Sequence, residues 1–136
     1  MNYWICILNR ENFNIVIQKQ IWGVAERYKN LLSKVKVGDR LIFYITKESV
    51  FGGVSEVASD GFIDEEDIFL PIKKDRKQKF PFRIKIKPVI FFKKMTPIEP
   101  LIIKLDFIKN KKRFQVHFMG KAMIPIGEKD INTIMS

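Results

Sequence analysis

Four short apolar segments, each bounded by turn chemistry, limit what this chain can fold into more than any other feature of it. Tyr3–Leu8 is apolar nearly throughout; residues 41–46 follow the turn signal Val37-Gly38-Asp39-Arg40; residues 51–58 contain adjacent glycines, Gly52 and Gly53; residues 82–87 alternate Phe82, Ile84 and Ile86 with Arg83, Lys85 and Lys87. Short runs of β-branched and aromatic residues predict strands. Tyr3–Leu8 reads as a central strand buried on both faces, and residues 82–87 as a strand with a cationic outer face. Val89-Ile90-Phe91-Phe92 continue beyond Pro88, which implies a bulge or an edge position there. The glycine pair predicts a bulge or a close backbone approach. No run reaches the roughly 18 apolar residues of a membrane-crossing helix.

Helical signals are shorter. Asn9-Arg10-Glu11-Asn12 supplies turn and cap chemistry, and Phe13, Val16 and Ile17 fall at helical spacing, predicting a helix over about residues 12–20. Gly23, just beyond Trp22, is placed to close that helix in a left-handed conformation. Residues 25–34 predict a further helical turn or two with Tyr28, Leu31 and Leu32 inward, and Glu128–Met135 a terminal helix carrying Ile131, Ile134 and Met135. Residues 60–80 read as a long loop, acidic at Asp64-Glu65-Glu66-Asp67 and basic from Lys73. Pro97 and Pro100 interrupt the chain before residues 101–105, and residues 122–126 form a last strand. About five or six strands with short flanking helices predict an α/β (α+β) domain over residues 1–136, its mixed sheet strongly bent into a partial barrel.

The chain has 136 residues, 46% of them apolar, and a formal net charge of +10. That composition folds around a core. Residues 1–72 carry eight Lys and Arg against ten Asp and Glu, a net of −2; residues 73–136 carry seventeen against five, a net of +12. Such asymmetry is expected of a surface that meets a polyanion. Met1-Asn2-Tyr3-Trp4-Ile5 lacks the basic start of a signal peptide, and the single cysteine, Cys6, sits in an apolar run. A buried thiol in a reducing cytoplasm is the expectation.

One histidine, His117, and one cysteine exclude a zinc site or a Cys–His nucleophile pair within the chain. No phosphate-binding loop, dinucleotide fingerprint or deaminase signature is present, and the spacing at 64–67 fits no calcium loop. No metal, cofactor or catalytic group is therefore expected. Among the aromatics, Tyr3, Trp4, Trp22, Tyr44 and Phe69 lie near segment ends. Trp22 stands out, between polar Gln18-Lys19-Gln20 and a glycine, and is expected at the rim of a pocket as a stacking platform for a base. Lys73 and Lys74 open one basic loop; Lys111 and Lys112 lie in another. Asn110, Arg113 and His117 add hydrogen-bonding groups suited to phosphate or base edges. The reading is a monomeric nucleic-acid-binding domain. Two others stand beside it: an enzyme acting on a base or nucleotide, with Asp39, Glu56 or His117 as acid or base, and a domain whose basic face meets an acidic protein.

Taken in order, Asn2-Tyr3-Trp4, Trp22-Gly23-Val24, Val37-Gly38-Asp39, Pro81-Phe82-Arg83-Ile84-Lys85 and Asn110-Lys111-Lys112-Arg113 with His117 and Gly120 resemble the EVE domain family along essentially the whole chain. The resemblance implies the PUA-like fold and kinship with YTH domains, readers of methylated adenine in RNA. It implies a pocket for a modified base, in DNA or RNA, in which Asn9 reads the base edge, Trp22 and Phe69 sandwich the ring, and backbone near Gly23 adds hydrogen bonds. Tyr44 joins that pocket. The cations of the C-terminal half, with Asn110 and His117, would hold the phosphates.

Overall fold

The apolar run Tyr3–Leu8 is strand β1, and both of its faces are covered. The structure is a computed structural model and describes residues 1–70 and 79–136. Trp4, Cys6 and Leu8 enter one core with Phe13, Val16, Phe43 and Ile45. Ile5 enters a second, with Ile42, Phe51, Ile98, Phe118 and Ile134. A strand that feeds two cores must be apolar at consecutive positions, which explains its sequence.

After β1 the chain enters helix α1 (Arg10–Lys19), earlier than its apolar spacing predicts because Asn9 caps it. The Asn12 N–H donates to Asn9 Oδ1 at 2.8 Å. The helix ends at Gln20, which is left-handed at φ 59°. This corrects the expectation for Gly23. Residues Ile21–Val24 are strand β2, and Gly23 lies within it, opposite Arg83. A 3-10 turn (Glu26–Tyr28), a short helix α2 (Lys29–Leu32), and strands β3 (Arg40–Ile45), β4 (Val50–Val57) and β5 (Phe62–Ile63) follow. Strand β6 runs from Phe82 to Pro97. Two 3-10 turns (Glu99–Lys104, Phe114–His117), strand β7 (Met123–Ile126) and helix α3 (Glu128–Met135) complete the chain.

The strands pair in the order β2-β6-β4-β3-β1-β7, with the two-residue β5 also on β6. Only β1 and β3 are parallel; β1 pairs antiparallel with β7, β3 with β4, and β6 with β2 and β4. This mixed sheet curls into a half-barrel of the PUA-like kind. Its bend is built by β6, which serves β2 and β5 at its start and β4 beyond, and by bulges on β4. The expectation of a close approach at the glycine pair holds. A Cβ on Gly52 would lie 2.5 Å from Phe13 Cζ, and one on Gly53 2.7 Å from the Ile90 carbonyl oxygen. The register also shifts across Pro88, which faces Ser55 while Ile90 faces Val54.

Candidate functional site

The parallel pair β1 and β3 ends at one side of the half-barrel, where Leu8 pairs with Ile45. Carboxyl ends of parallel strands leave a crevice, because the chain departs in different directions from neighbouring strands. Here the crevice is a cleft of about 660 Å³, within the range of ligand pockets. Its floor includes Ile7, Leu8 and Asn9, its back Trp22, Gly23 and Val24. Arg27 and Tyr28 bound one side, Thr46 and Lys47 another; Phe80 and residues 118–122 complete it. The Tyr28 hydroxyl donates to the Gly120 carbonyl at 2.6 Å, joining two walls that are far apart in sequence.

Asn9 stands in the cleft, as the resemblance implies. Its Oδ1 is committed to the cap of α1, so its Nδ2 is the atom left for a ligand. The start of α1 adds the positive end of a helix dipole beside it.

Trp22 also lines the cleft, but not as a rim platform. The indole is only 4% exposed and belongs to the first core, tilted against Phe43 at a centroid distance of 6.2 Å. Pairing of β2 with β6 pulls it inward: Trp22 faces Ile84, a buried position. The polar residues before it end a helix and do not mark an exposed flank. The two tryptophans differ in one further respect. Trp4 Nε1 donates to Asp39 Oδ2 at 3.2 Å. Trp22 Nε1 is buried with no hydrogen-bond partner among the described residues, an unusual state for a buried donor.

Phe69 does not face Trp22 across an open slot. Trp22, Gly23, Phe69 and Phe80 enclose a crevice of about 30 Å³, room for a water or two and not for a base. Phe69 packs so closely over Gly23 that a Cβ there would lie 2.8 Å from Phe69 Cε2. The Arg83 guanidinium lies over its ring at 5.5 Å, and Phe80 meets it edge-on at 5.8 Å. The segment is clamped by the buried Asn12, whose Nδ2 donates to the Leu70 carbonyl (2.9 Å) and whose Oδ1 accepts the Leu70 N–H (2.8 Å). Arg83 holds it from the other side, donating to the carbonyls of Phe80 and Glu66.

Tyr44 is not in the cleft. It lies in the second core, stacked on Phe118 at 4.1 Å, because alternation along β3 sends it to the face opposite Phe43. Burial pushes its phenol pKa up.

The C-terminal loop is largely committed to its own structure. Lys111 Nζ donates to the carbonyls of Ile102 (3.0 Å) and Leu105 (2.7 Å), closing the 3-10 turn that precedes it. The Asn110 N–H donates to His117 Nε2 at 2.9 Å, and the Arg113 N–H to Asn110 Oδ1 at 3.0 Å. Lys112 and Arg113 are exposed. None of these five residues lines the cleft. Lys73 and Lys74 lie outside the described residues. Asp39 is buried beneath three donors, the N–H groups of Asn2 and Lys36 and the Trp4 indole, and Glu56 is paired with Arg40 and Lys87. No group of residues that could hold a metal ion occurs among the described residues.

The cleft residues that local sequence patterns leave unmarked are Arg27, Tyr28, Lys47, Phe80, Phe118 and Lys121. Only Lys47 carries a local signal in the structure, a left-handed backbone at φ 68° in a residue other than glycine.

Comparison with known proteins agrees with this fold. The model of the EVE domain family matches residues 2–136. A UPF0310 protein of Pyrococcus horikoshii is 42% identical over 147 aligned positions, covering 98% of this chain and 97% of its own. The Pho92 YTH domain, solved in complex with m6A, is similar at a TM-score of 0.70 and 18% identity, over 99% of this chain and 84% of that one. Human THYN1, solved in complex with 5-methylcytosine containing DNA, is similar at 0.67 and 16%, over 99% and 96%. At such identities these two likenesses establish the fold.

Proposed function

This chain belongs to the EVE domain family, and from that premise we propose that it binds nucleic acid by taking one unstacked, modified base into the cleft at the ends of β1 and β3. The observation that carries the reading is the lining of that cleft. Its aromatic residues are Trp22, Tyr28, Phe80 and Phe118, and its described lining contains no carboxylate, imidazole or thiol. Such a lining suits binding a flat, uncharged ring better than acid–base chemistry on it. The structurally similar YTH domain and THYN1 were solved with a methylated adenine and with DNA containing a methylated cytosine.

The base enters the larger cleft, against Phe80 and the part of Trp22 that lines it, and not the small crevice between Trp22 and Phe69. Asn9 Nδ2 is a half-buried donor and Trp22 Nε1 a buried one without a partner among the described residues; in this reading both donate to acceptors on the base edge, the indole after a small shift of the side chains that cover it. Leaving such a buried donor unpaired costs about 1–3 kcal/mol, which a ligand acceptor recovers. A methyl group on the base gains about 0.8 kcal/mol by burial against this wall. An unstacked base in a single strand avoids the few kcal/mol needed to flip it from a duplex.

Titration of single-stranded oligonucleotides carrying one 5-methylcytosine, one N6-methyladenine or neither, followed by tryptophan fluorescence, tests the reading. One modified strand should bind more tightly than its plain counterpart and change the emission. Asn9→Ala should weaken it by about 1–3 kcal/mol. Trp22→Phe, which keeps most of the core volume and removes the indole N–H, should weaken it similarly while the far-ultraviolet circular dichroism is unchanged. Equal binding of all strands by wild type and both variants would overturn it.

A further inference from the structure

Some cations of this chain are paired with carboxylates, and many others, Lys112 and Arg113 among them, have no ion-pair partner among the described residues. Around the surface, Arg and Lys side chains meet carboxylates: Arg10 meets Glu48, Arg40 and Lys87 meet Glu56, Arg83 meets Asp64 and Lys129 meets Asp106. Lys111 is spent on backbone carbonyls. Arg27, Lys47 and Lys121 differ. All three are exposed and without an ion-pair partner among the described residues, and what sets them apart from the other unpaired cations is that they line the same cleft. They come from three separate parts of the fold: the 3-10 turn after β2, the turn between β3 and β4, and the segment before β7.

Two of the three are held in place. The Arg27 guanidinium lies over the Tyr28 ring at 4.8 Å, and the hydroxyl of that same ring is bonded to Gly120, next to Lys121. The turn bearing Lys47 is tied to α1 by Arg10, whose Nε donates to Glu48 at 2.9 Å. Lys47 itself sits at φ 68°, a conformation that costs an ordinary residue roughly 1–2 kcal/mol. Such strain persists where the surrounding structure enforces it, and it clusters at functional sites. Three unpaired cations converging on one cleft repel one another unless an anion joins them. The volume of the cleft, about 660 Å³, exceeds what one base fills.

We propose that Arg27, Lys47 and Lys121 form a phosphate subsite at the mouth of the cleft, so that the cleft takes a complete nucleotide, base and phosphate together. The inference rests on the base-binding reading above. It moves the phosphate contacts away from the loop at residues 109–113, to residues that include two from the acidic half of the chain. The shared ligand chemistry is a nucleotide phosphate, whether on a free mononucleotide or within a strand. Charge-assisted bonds from guanidinium and ammonium to phosphate oxygens are the stronger class of hydrogen bond.

The experiment compares three ligands of one base on the full chain: the nucleoside, its 5′-monophosphate and a single strand of about ten nucleotides containing it. 5-Methyl-2′-deoxycytidine and N6-methyladenosine are the two bases used. Calorimetry and tryptophan fluorescence read binding to wild type, to Arg27→Gln/Lys47→Gln/Lys121→Gln and to Lys112→Gln/Arg113→Gln. The monophosphate should bind at least tenfold more tightly than the nucleoside. That ratio should collapse toward one in the triple variant and persist in the double variant. For the strand, the slope of log affinity against log salt should fall by about one for each cleft cation removed. A nucleoside that binds as well as its monophosphate overturns the phosphate subsite and leaves the base pocket standing. Strand binding that depends on Lys112 and Arg113 and ignores the triple substitution overturns it in favour of the loop. Absence of binding by all three ligands overturns the base-binding reading together with the subsite.

Discussion

At Gly23, the absence of one carbon allows Phe69 to lie directly on β2. β2 crosses there beneath Phe69 with Phe80 and Arg83 beside it, and a Cβ would lie 2.8 Å from the Phe69 ring and 3.1 Å from the Phe80 carbonyl oxygen. Gly23→Ala should therefore push Phe69 and Phe80 outward and cost about 1–3 kcal/mol, the range for overpacking. Urea unfolding checks it, and an unchanged midpoint would mean that Phe69 yields without cost. Cys6 shows the opposite extreme. It is fully buried, and burial pushes its thiol pKa well up. Because the thiolate is the reactive form, Cys6 should resist a disulfide reagent at pH 8 and react only as denaturant opens the fold. Fast labelling of the native protein would contradict that burial. Trp4 and Trp22 carry the same side chain into the same core, but only one finds an acceptor in Asp39.

Among the elements, the turn between β3 and β4 is positioned by an ion pair. Arg10 at the start of α1 grips Glu48 through two nitrogens, and this holds the Glu48 carboxyl below its ordinary range. A carboxyl whose folded-state pKa is depressed contributes stability above its unfolded value, near pH 4.3, and loses it as pH falls through the folded one. The stability difference between wild type and Glu48→Gln should thus be present at neutral pH and shrink as pH falls below about 4.3. Urea midpoints from pH 3 to 7 check it, and a difference that grows in acid would contradict the pairing. Long β6 is the other decisive element. By serving β2 and β5 at its start and β4 beyond, it carries the sheet around the bend and brings Trp22 beside β1.

For the whole molecule, the proposed function assigns the net charge of +10 to the approach of a polyanion and the cleft to its recognition on arrival. Long-range attraction is screened within about 8 Å at physiological ionic strength. Affinity for any single strand should then fall linearly with salt on a log–log scale, whereas the ratio between modified and plain strands, made inside the cleft, should change little. Binding curves at several salt concentrations check both. A ratio that decays as steeply as the affinity would mean that discrimination also lies on the charged surface. The described residues include no helix long and apolar enough to cross a membrane.

Much of this architecture is legible along the chain, because it depends on neighbours. Consecutive apolar residues mark β1 as buried on both faces, Asn9 announces the start of α1, and Gly52-Gly53 announces crowding. The ordered motifs along the chain also announce its family. The candidate site was legible only in part, since it is built from residues 7–9, 22–24, 27–28, 46–47, 80 and 118–122. Asn9 and Trp22 could be named through the family pattern. The buried position of Trp22 could not, since β2 is four residues long and becomes a strand only by pairing with residues 82–85. A pattern that short has no measurable period. The charge split between the halves pointed to the C-terminal loop, yet two of the three cleft cations come from the acidic half. Net charge sums over a segment, whereas the folded chain decides which charges are paired and which come to lie around one cleft. That pairing is set by strand register and by turns that bring distant residues together.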